Sequence, residues 1–115
     1  MGYVDAIVRY ITYKIEIMNW KIQKLSNGEF IISKEPGNSM LPLLKSKQPV
    51  RLVPASWEDC EVGDIVYCKV RGNCFTHLVK GKNDKRGLLI GNNHGRINGW
   101  TKHVYGKVVE ILPMS

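Results

Sequence analysis

A chain of 115 residues has the size of one domain, which buries roughly two-thirds of its unfolded surface. A hydrophobic content of 43% and a charged content of 23% exclude a disordered polymer, and no apolar run reaches the ~20 residues that cross a bilayer. The formal charge of +7 permits nucleic acid, acidic peptides or an anionic surface as partners, but the basic residues are scattered and read as a solvated basic face.

Residues 3–25 carry Val4, Val8, Ile11, Ile15, Met18, Ile22 and Leu25 in a strict 4-3-4-3 alternation. One apolar stripe along a helix results, and Asn27-Gly28 supplies its stop. Local alternation at Ile15/Ile17 and Trp20/Ile22 leaves a second reading, in which the later part is a strand that turns at Asn27-Gly28. Asp5, Arg9, Lys14, Glu16 and Lys21 interrupt the stretch, so it fits neither a signal peptide nor a spanning helix. A soluble, cytoplasmic protein is expected. Residues 1–28 are assigned to an N-terminal amphipathic helical segment, with its stripe buried in core packing or a dimer seam, and residues 29–115 to a β domain.

From residue 29 onward short apolar runs appear at 30–32, 50–53, 65–70, 74–79, 88–90 and 104–112. Pro36-Gly37, Pro54, Gly63-Asp64, Gly72-Asn73, Asn83-Asp84 and Gly91 to Gly95 separate them. This spacing, without helical periodicity between the runs, predicts a mainly β fold: an antiparallel, barrel-like or sandwich body. Arg71-Gly72-Asn73 is read as a hairpin turn.

Cys60, Cys68 and Cys74 are odd in number and lack Cys-x-x-Cys spacing, which favours reduced, buried thiols over a disulfide framework. Cys74 and His77 have the spacing of two zinc ligands, yet a full site needs further ligands from elsewhere. No metal and no cofactor are expected.

Gly37-Asn38-Ser39-Met40-Leu41-Pro42 follows a predicted strand. A serine there, after a glycine that frees the backbone to turn, presents its hydroxyl on a rim instead of in a ladder. Pro42 suits the first turn of a short helix, whose free N–H groups would point toward Ser39 as oxyanion donors. His77 falls in Cys74-Phe75-Thr76-His77-Leu78-Val79; on a strand, Phe75 and His77 share one face and Thr76 and Leu78 the other. An imidazole titrating near 6.5 accepts a hydroxyl proton at neutral pH.

Gly-x-Ser-Met-x-Pro, then Gly63-Asp64-Ile65-Val66, Thr76-His77-x-Val79, Gly91-Asn92-Asn93 and Tyr105-Gly106-Lys107-Val108-Val109 occur in one order over about residues 29–112. The pattern resembles the superfamily of signal peptidases and LexA-type self-cleaving repressors. It is most similar to the Ser-His branch of archaeal and endoplasmic-reticulum signal peptidases. The resemblance implies a coiled antiparallel sheet, Ser39 as nucleophile, Met40 as the residue that seats it, and His77 as general base where other branches have lysine. Where that branch has aspartates, this chain has Asn92 and Asn98; Asn92 is expected to orient His77, and Asp64 and Asp84 are substitutes for the missing charge. No membrane anchor is expected, and the sequence contains neither an Ala-Gly nor a Cys-Gly self-cleavage site. The expected function is therefore a serine endopeptidase that cleaves a peptide or protein substrate in trans. Two alternatives remain: an impaired pseudo-peptidase that binds a peptide or protein, and, more weakly, a nucleic-acid-binding barrel using Trp57, Trp100 and Tyr105.

Overall fold

A computed structural model describes residues 19–114. Helix α1 covers Trp20–Ser26, and seven strands follow: β1 Ile31–Ser33, β2 Val50–Pro54, β3 Ile65–Val70, β4 Asn73–Asn83, β5 Gly87–Gly91, β6 Ile97–Thr101 and β7 Val104–Ile111. The expected helix over 3–25 falls largely outside the described residues. Its last part is helical, so the strand reading of Trp20 and Ile22 is corrected. The reason is local: Asn27 N–H bonds to Gln23 O and Glu29 N–H to Lys24 O, which closes the helix and leaves no hairpin. Leu25, on the stripe, is buried.

The strands form one antiparallel sheet in the order β1-β2-β7-β3-β4-β5-β6. The mainly β expectation is met. Strand β6 is missing from the sequence reading because Asn98-Gly99 lacks the β-branched signal and lies just after a turn-rich stretch. Arg71 and Gly72, with φ of 51° and 84°, make the tight turn between Val70 and Asn73, which pair across the hairpin. Two positive φ values in a two-residue loop match the twist of the flanking strands.

Both faces of the sheet are covered, and the strand period of two sorts side chains between them. Tyr67 and Leu78 join Leu25, Ile31, Met40, Leu44, Val50 and Leu52 in one cluster. Val66, Cys68, Val70 and Val79 join Cys60, Leu88, Ile90 and Val104 in the other. Register shifts between Arg51/Leu52, Tyr67/Cys68, Val79/Gly81 and Ile90/Gly91 add local twist, as bulges do. The sheet coils so far that the β6–β7 corner reaches β3: Thr101 Oγ1 donates to Lys69 O at 2.7 Å and Lys69 N–H to His103 O at 2.9 Å. That closure brings β6 over β4, where the site forms. Among the described residues no helix is long and apolar enough to cross a membrane.

Candidate active site

Ser39 stands in a loop between β1 and β2 that the sequence bends twice. Gly37 adopts φ of 115°, a conformation that suits glycine, and its N–H donates to Ser46 Oγ at 3.0 Å. Leu41 N–H bonds to Asn38 O and Leu44 N–H to Met40 O, so residues 39–43 form successive turns. The short helix expected from Pro42 is therefore absent, because the two bonds close turns without a continuing ladder. Met40 is buried under the loop and anchors it in the α1-side core.

The β5–β6 connection braces this loop from the other side. Asn93 N–H donates to Ser39 O at 2.9 Å, and Asn93 Nδ2 donates to Leu41 O at 2.8 Å. His94 Nε2 lies 3.1 Å from Asn38 O. Asn92 does not orient the imidazole. Its Oδ1 accepts from His94 N–H and Arg96 N–H, a fold-back typical of asparagine in turns, and so holds the bracing loop in shape.

His77 is half-buried on β4, with its ring edge-on to Phe75 two residues earlier, centroids 4.2 Å apart. Ser39 Oγ lies 3.1 Å from His77 Nε2. On the far side of the ring, His77 Nδ1 lies 2.8 Å from Asn98 Oδ1. An amide oxygen accepts, so Nδ1 carries the proton, and Nε2 is left with the lone pair that accepts from the serine hydroxyl. The three side chains come from the β1–β2 loop, β4 and β6, so coiling of the sheet is what assembles them. Burial lowers the imidazole below its ordinary value, against smaller upward contributions from the Asn98 bond and the Glu35 charge and a downward one from Arg96. The ring is accordingly a neutral base at pH 7.

The carboxylate that bears on His77 is Glu35, which sequence reasoning misses. Glu35 Oε2 accepts from Thr76 N–H at 3.0 Å, and Oε1 accepts from Thr76 Oγ1 at 2.7 Å. Lys21 Nζ on α1 lies 3.5 Å from the same Oε1. The signal was available in one respect: Glu35 is the sole acid between residues 30 and 57. Asp64 and Asp84 do not take the place of the missing acid. Asp64 Oδ2 accepts from Glu61 N–H in the turn before β3, and Asp84 is exposed in the β4–β5 turn.

Beside Ser39 a cavity of about 40 Å³ opens, walled by Ser33, Glu35, Met40, Leu44, Val50 and Thr76. Next to it, the first half of β4 has no strand partner on one side, since β5 pairs only from Leu78 onward, and Glu35 takes the Thr76 N–H there. The thiols stand apart from this chemistry. Burial raises Cys60 to about 11 and Cys68 to about 12, which makes both poor nucleophiles. Both ring nitrogens of His77 are engaged, and among the described residues no cluster of three or more ligating side chains occurs. Of the aromatics, Trp57 and Tyr105 pack against the two cores and Trp100 lies under the Arg86 guanidinium.

No protein-family model matches the chain, and no curated protein matches it significantly.

Proposed function

We propose that the chain is a serine endopeptidase of the signal peptidase and LexA-like type, acting in trans on an extended peptide segment. The observation that carries this reading is the line Ser39 Oγ, His77 Nε2, His77 Nδ1, Asn98 Oδ1, with spacings of 3.1 and 2.8 Å. It is the hydrogen-bond order of a nucleophile, its base and the group that fixes the tautomer of the base.

In this mechanism His77 Nε2 takes the hydroxyl proton as Ser39 Oγ bonds to the peptide carbonyl carbon. The carbonyl oxygen becomes an oxyanion, stabilised by main-chain N–H groups of the Ser39 turn. Collapse breaks the C–N bond, and His77 returns the proton to the departing amine. Water then attacks the acyl-serine, giving a proton to His77, and release of the acid restores the hydroxyl. The half of β4 before Leu78 lacks a strand partner on one side, which suits a substrate held by main-chain pairing that displaces Glu35 from the Thr76 N–H.

Labelling by a fluorophosphonate tests the reading: wild type should react, and Ser39→Ala and His77→Ala should not. Equal, negligible labelling of folded wild type and Ser39→Ala would remove catalysis. The second reading, a peptide-binding pseudo-peptidase, draws on Asn98, which aligns the ring but brings no charge to balance the imidazolium. It requires unchanged peptide affinity in Ser39→Ala and an intact peptide after long incubation.

A further inference from the structure

The turn between β5 and β6 takes main-chain carbonyls of the Ser39 loop as acceptors. Asn93 N–H donates to Ser39 O at 2.9 Å, and Asn93 Nδ2 donates to Leu41 O at 2.8 Å. A further bond comes from the next side chain. His94 Nε2 lies 3.1 Å from Asn38 O, and a carbonyl only accepts, so that nitrogen carries a proton and donates. Asn38 O belongs to the planar peptide that joins Asn38 to Ser39, so the bond acts on the unit from which the serine departs.

His94 is held for this contact from its own side. Its N–H donates to Asn92 Oδ1 at 2.8 Å, and the same oxygen accepts from Arg96 N–H at 3.0 Å. Gly95 between them has φ of 88°, a value that glycine adopts without steric cost. The chain then enters β6, where Asn98 Oδ1 stands 2.8 Å from His77 Nδ1. Residues 92–98 therefore act on both ends of the Ser39–His77 contact: Asn98 on the ring, and His94 on the peptide in front of the hydroxyl.

His94 is exposed, so its bond competes with water and adds little to stability. The two Asn93 bonds keep the loop attached when the imidazole is removed. What is lost is the hold on the Asn38–Ser39 peptide. Ser39 Oγ stands 3.1 Å from His77 Nε2, and misplacement of reacting groups by about 1 Å costs about a hundredfold in rate.

We propose that His94 is a positioning residue for the reaction: the bond from its Nε2 to Asn38 O sets the approach of Ser39 Oγ to His77. The assignment rests on the reading of Ser39 as nucleophile and His77 as base. A histidine that only stiffens a surface turn would leave the rate and the Ser39–His77 contact as they are.

The test compares wild type with His94→Ala, His94→Phe and His94→Gln in the full chain. Phenylalanine keeps a ring without a donor, and glutamine offers an amide N–H without a ring. Inactivation by an alkyl fluorophosphonate, followed over a range of concentrations, separates the limiting rate from the apparent affinity. In His94→Ala and His94→Phe the limiting rate should fall about tenfold or more, with affinity and urea midpoint unchanged. His94→Gln should recover most of the rate. An equal fall in His94→Gln, a change confined to affinity, a urea midpoint that falls in step with the rate, or an unaltered rate in all three overturns the proposal and leaves the endopeptidase reading standing. The nitrogen NMR resonance of His77 Nε2 reads the contact without turnover, with Ser39→Ala as the reference for its loss. It should move toward that reference in His94→Ala and His94→Phe and stay in place in His94→Gln. An unmoved resonance in all three also overturns the proposal. Absence of labelling in folded wild type, with the resonance moving as expected, keeps His94 as the residue that places the hydroxyl and removes Ser39 as nucleophile.

Discussion

Asn98 Oδ1 sits 2.8 Å from His77 Nδ1, at the position where triad-type serine proteases place a carboxylate. In the proposed mechanism an amide there selects the tautomer with its lone pair toward Ser39 but leaves the imidazolium of the transition state uncompensated. Exchange of that aspartate for asparagine costs about 10⁴ in turnover in the triad enzymes. The reverse exchange, Asn98→Asp, is nearly isosteric and adds the missing charge. It should accelerate fluorophosphonate labelling of Ser39 by tenfold or more at neutral pH and move the midpoint of the pH–rate profile upward. Slower labelling with the fold intact would mean that Asn98 does not act through the ring.

Burial holds the His77 imidazole below its ordinary 6.5, which gives a pH dependence of defined sign. The base is neutral from high pH down to its lowered folded value, so the labelling rate should reach half its plateau below pH 6.5. Stability follows the same group. Between the folded and unfolded values the unfolded chain binds more protons, so stability rises with pH through that window. The contribution is fully present above the unfolded value and is lost as pH falls toward the folded one. Urea midpoints measured from about pH 8 down to about pH 5 should fall less steeply for His77→Gln than for wild type. Parallel curves would detach the imidazole from any folded-state shift.

Glu35 connects three elements through a single carboxylate: the β1–β2 loop that carries it, Thr76 on β4 and Lys21 on α1. Thr76 is buried, so removing the acceptor leaves two donors unsatisfied. Glu35→Ala should cost about 1–3 kcal/mol in urea unfolding, and Glu35→Gln less, because the amide oxygen still accepts. Both changes remove a charge that raises the His77 value, and the pH–rate midpoint should move down in each. A stability loss without any shift of that midpoint would limit Glu35 to a structural part.

The strands that carry an uninterrupted apolar signal are the ones visible in the sequence. Ile65–Val70 is bounded as read, because the Gly63-Asp64 and Arg71-Gly72 turns punctuate both ends. Asn73–Asn83 runs longer than its apolar part: Lys80 and Lys82 are polar, yet the strand continues through them to pair with β5. Ile97–Thr101 is invisible, since its pairing to β5 is set by the partner strand and by closure of the sheet. The site divides in the same way. Motif order nominates Ser39 and His77, and the family resemblance adds Asn92 and Asn98, but spacing along a chain carries no distance between a loop, β4 and β6. The sequence reading gives the orienting part to Asn92; the fold-back at His94 and Arg96 removes it from the ring, and Asn98 stands there instead. Glu35 carries no motif, and its reach to Thr76 appears only once the β1–β2 loop is folded against β4.

Gly106 explains one piece of the sequence pattern, Tyr-Gly-Lys-Val-Val, as a packing demand. A Cβ at this position would stand 2.8 Å from Val53 O and 3.1 Å from both methyl carbons of Leu25, so α1 and β2 converge on a bare backbone. Gly106→Ala should destabilise by about 1–3 kcal/mol, the usual cost of overpacking. Leu25→Ala alone should cost about 2–5 kcal/mol through the cavity it leaves. The double variant should cost less than the two singles added, because truncation of Leu25 frees the space on one side of the new methyl, while the Val53 contact persists. Chemical denaturation of the four proteins measures the coupling. Additivity within about 0.5 kcal/mol would show that α1 does not press on β7 at this point, and that the end of the helix is not seated on the sheet as described.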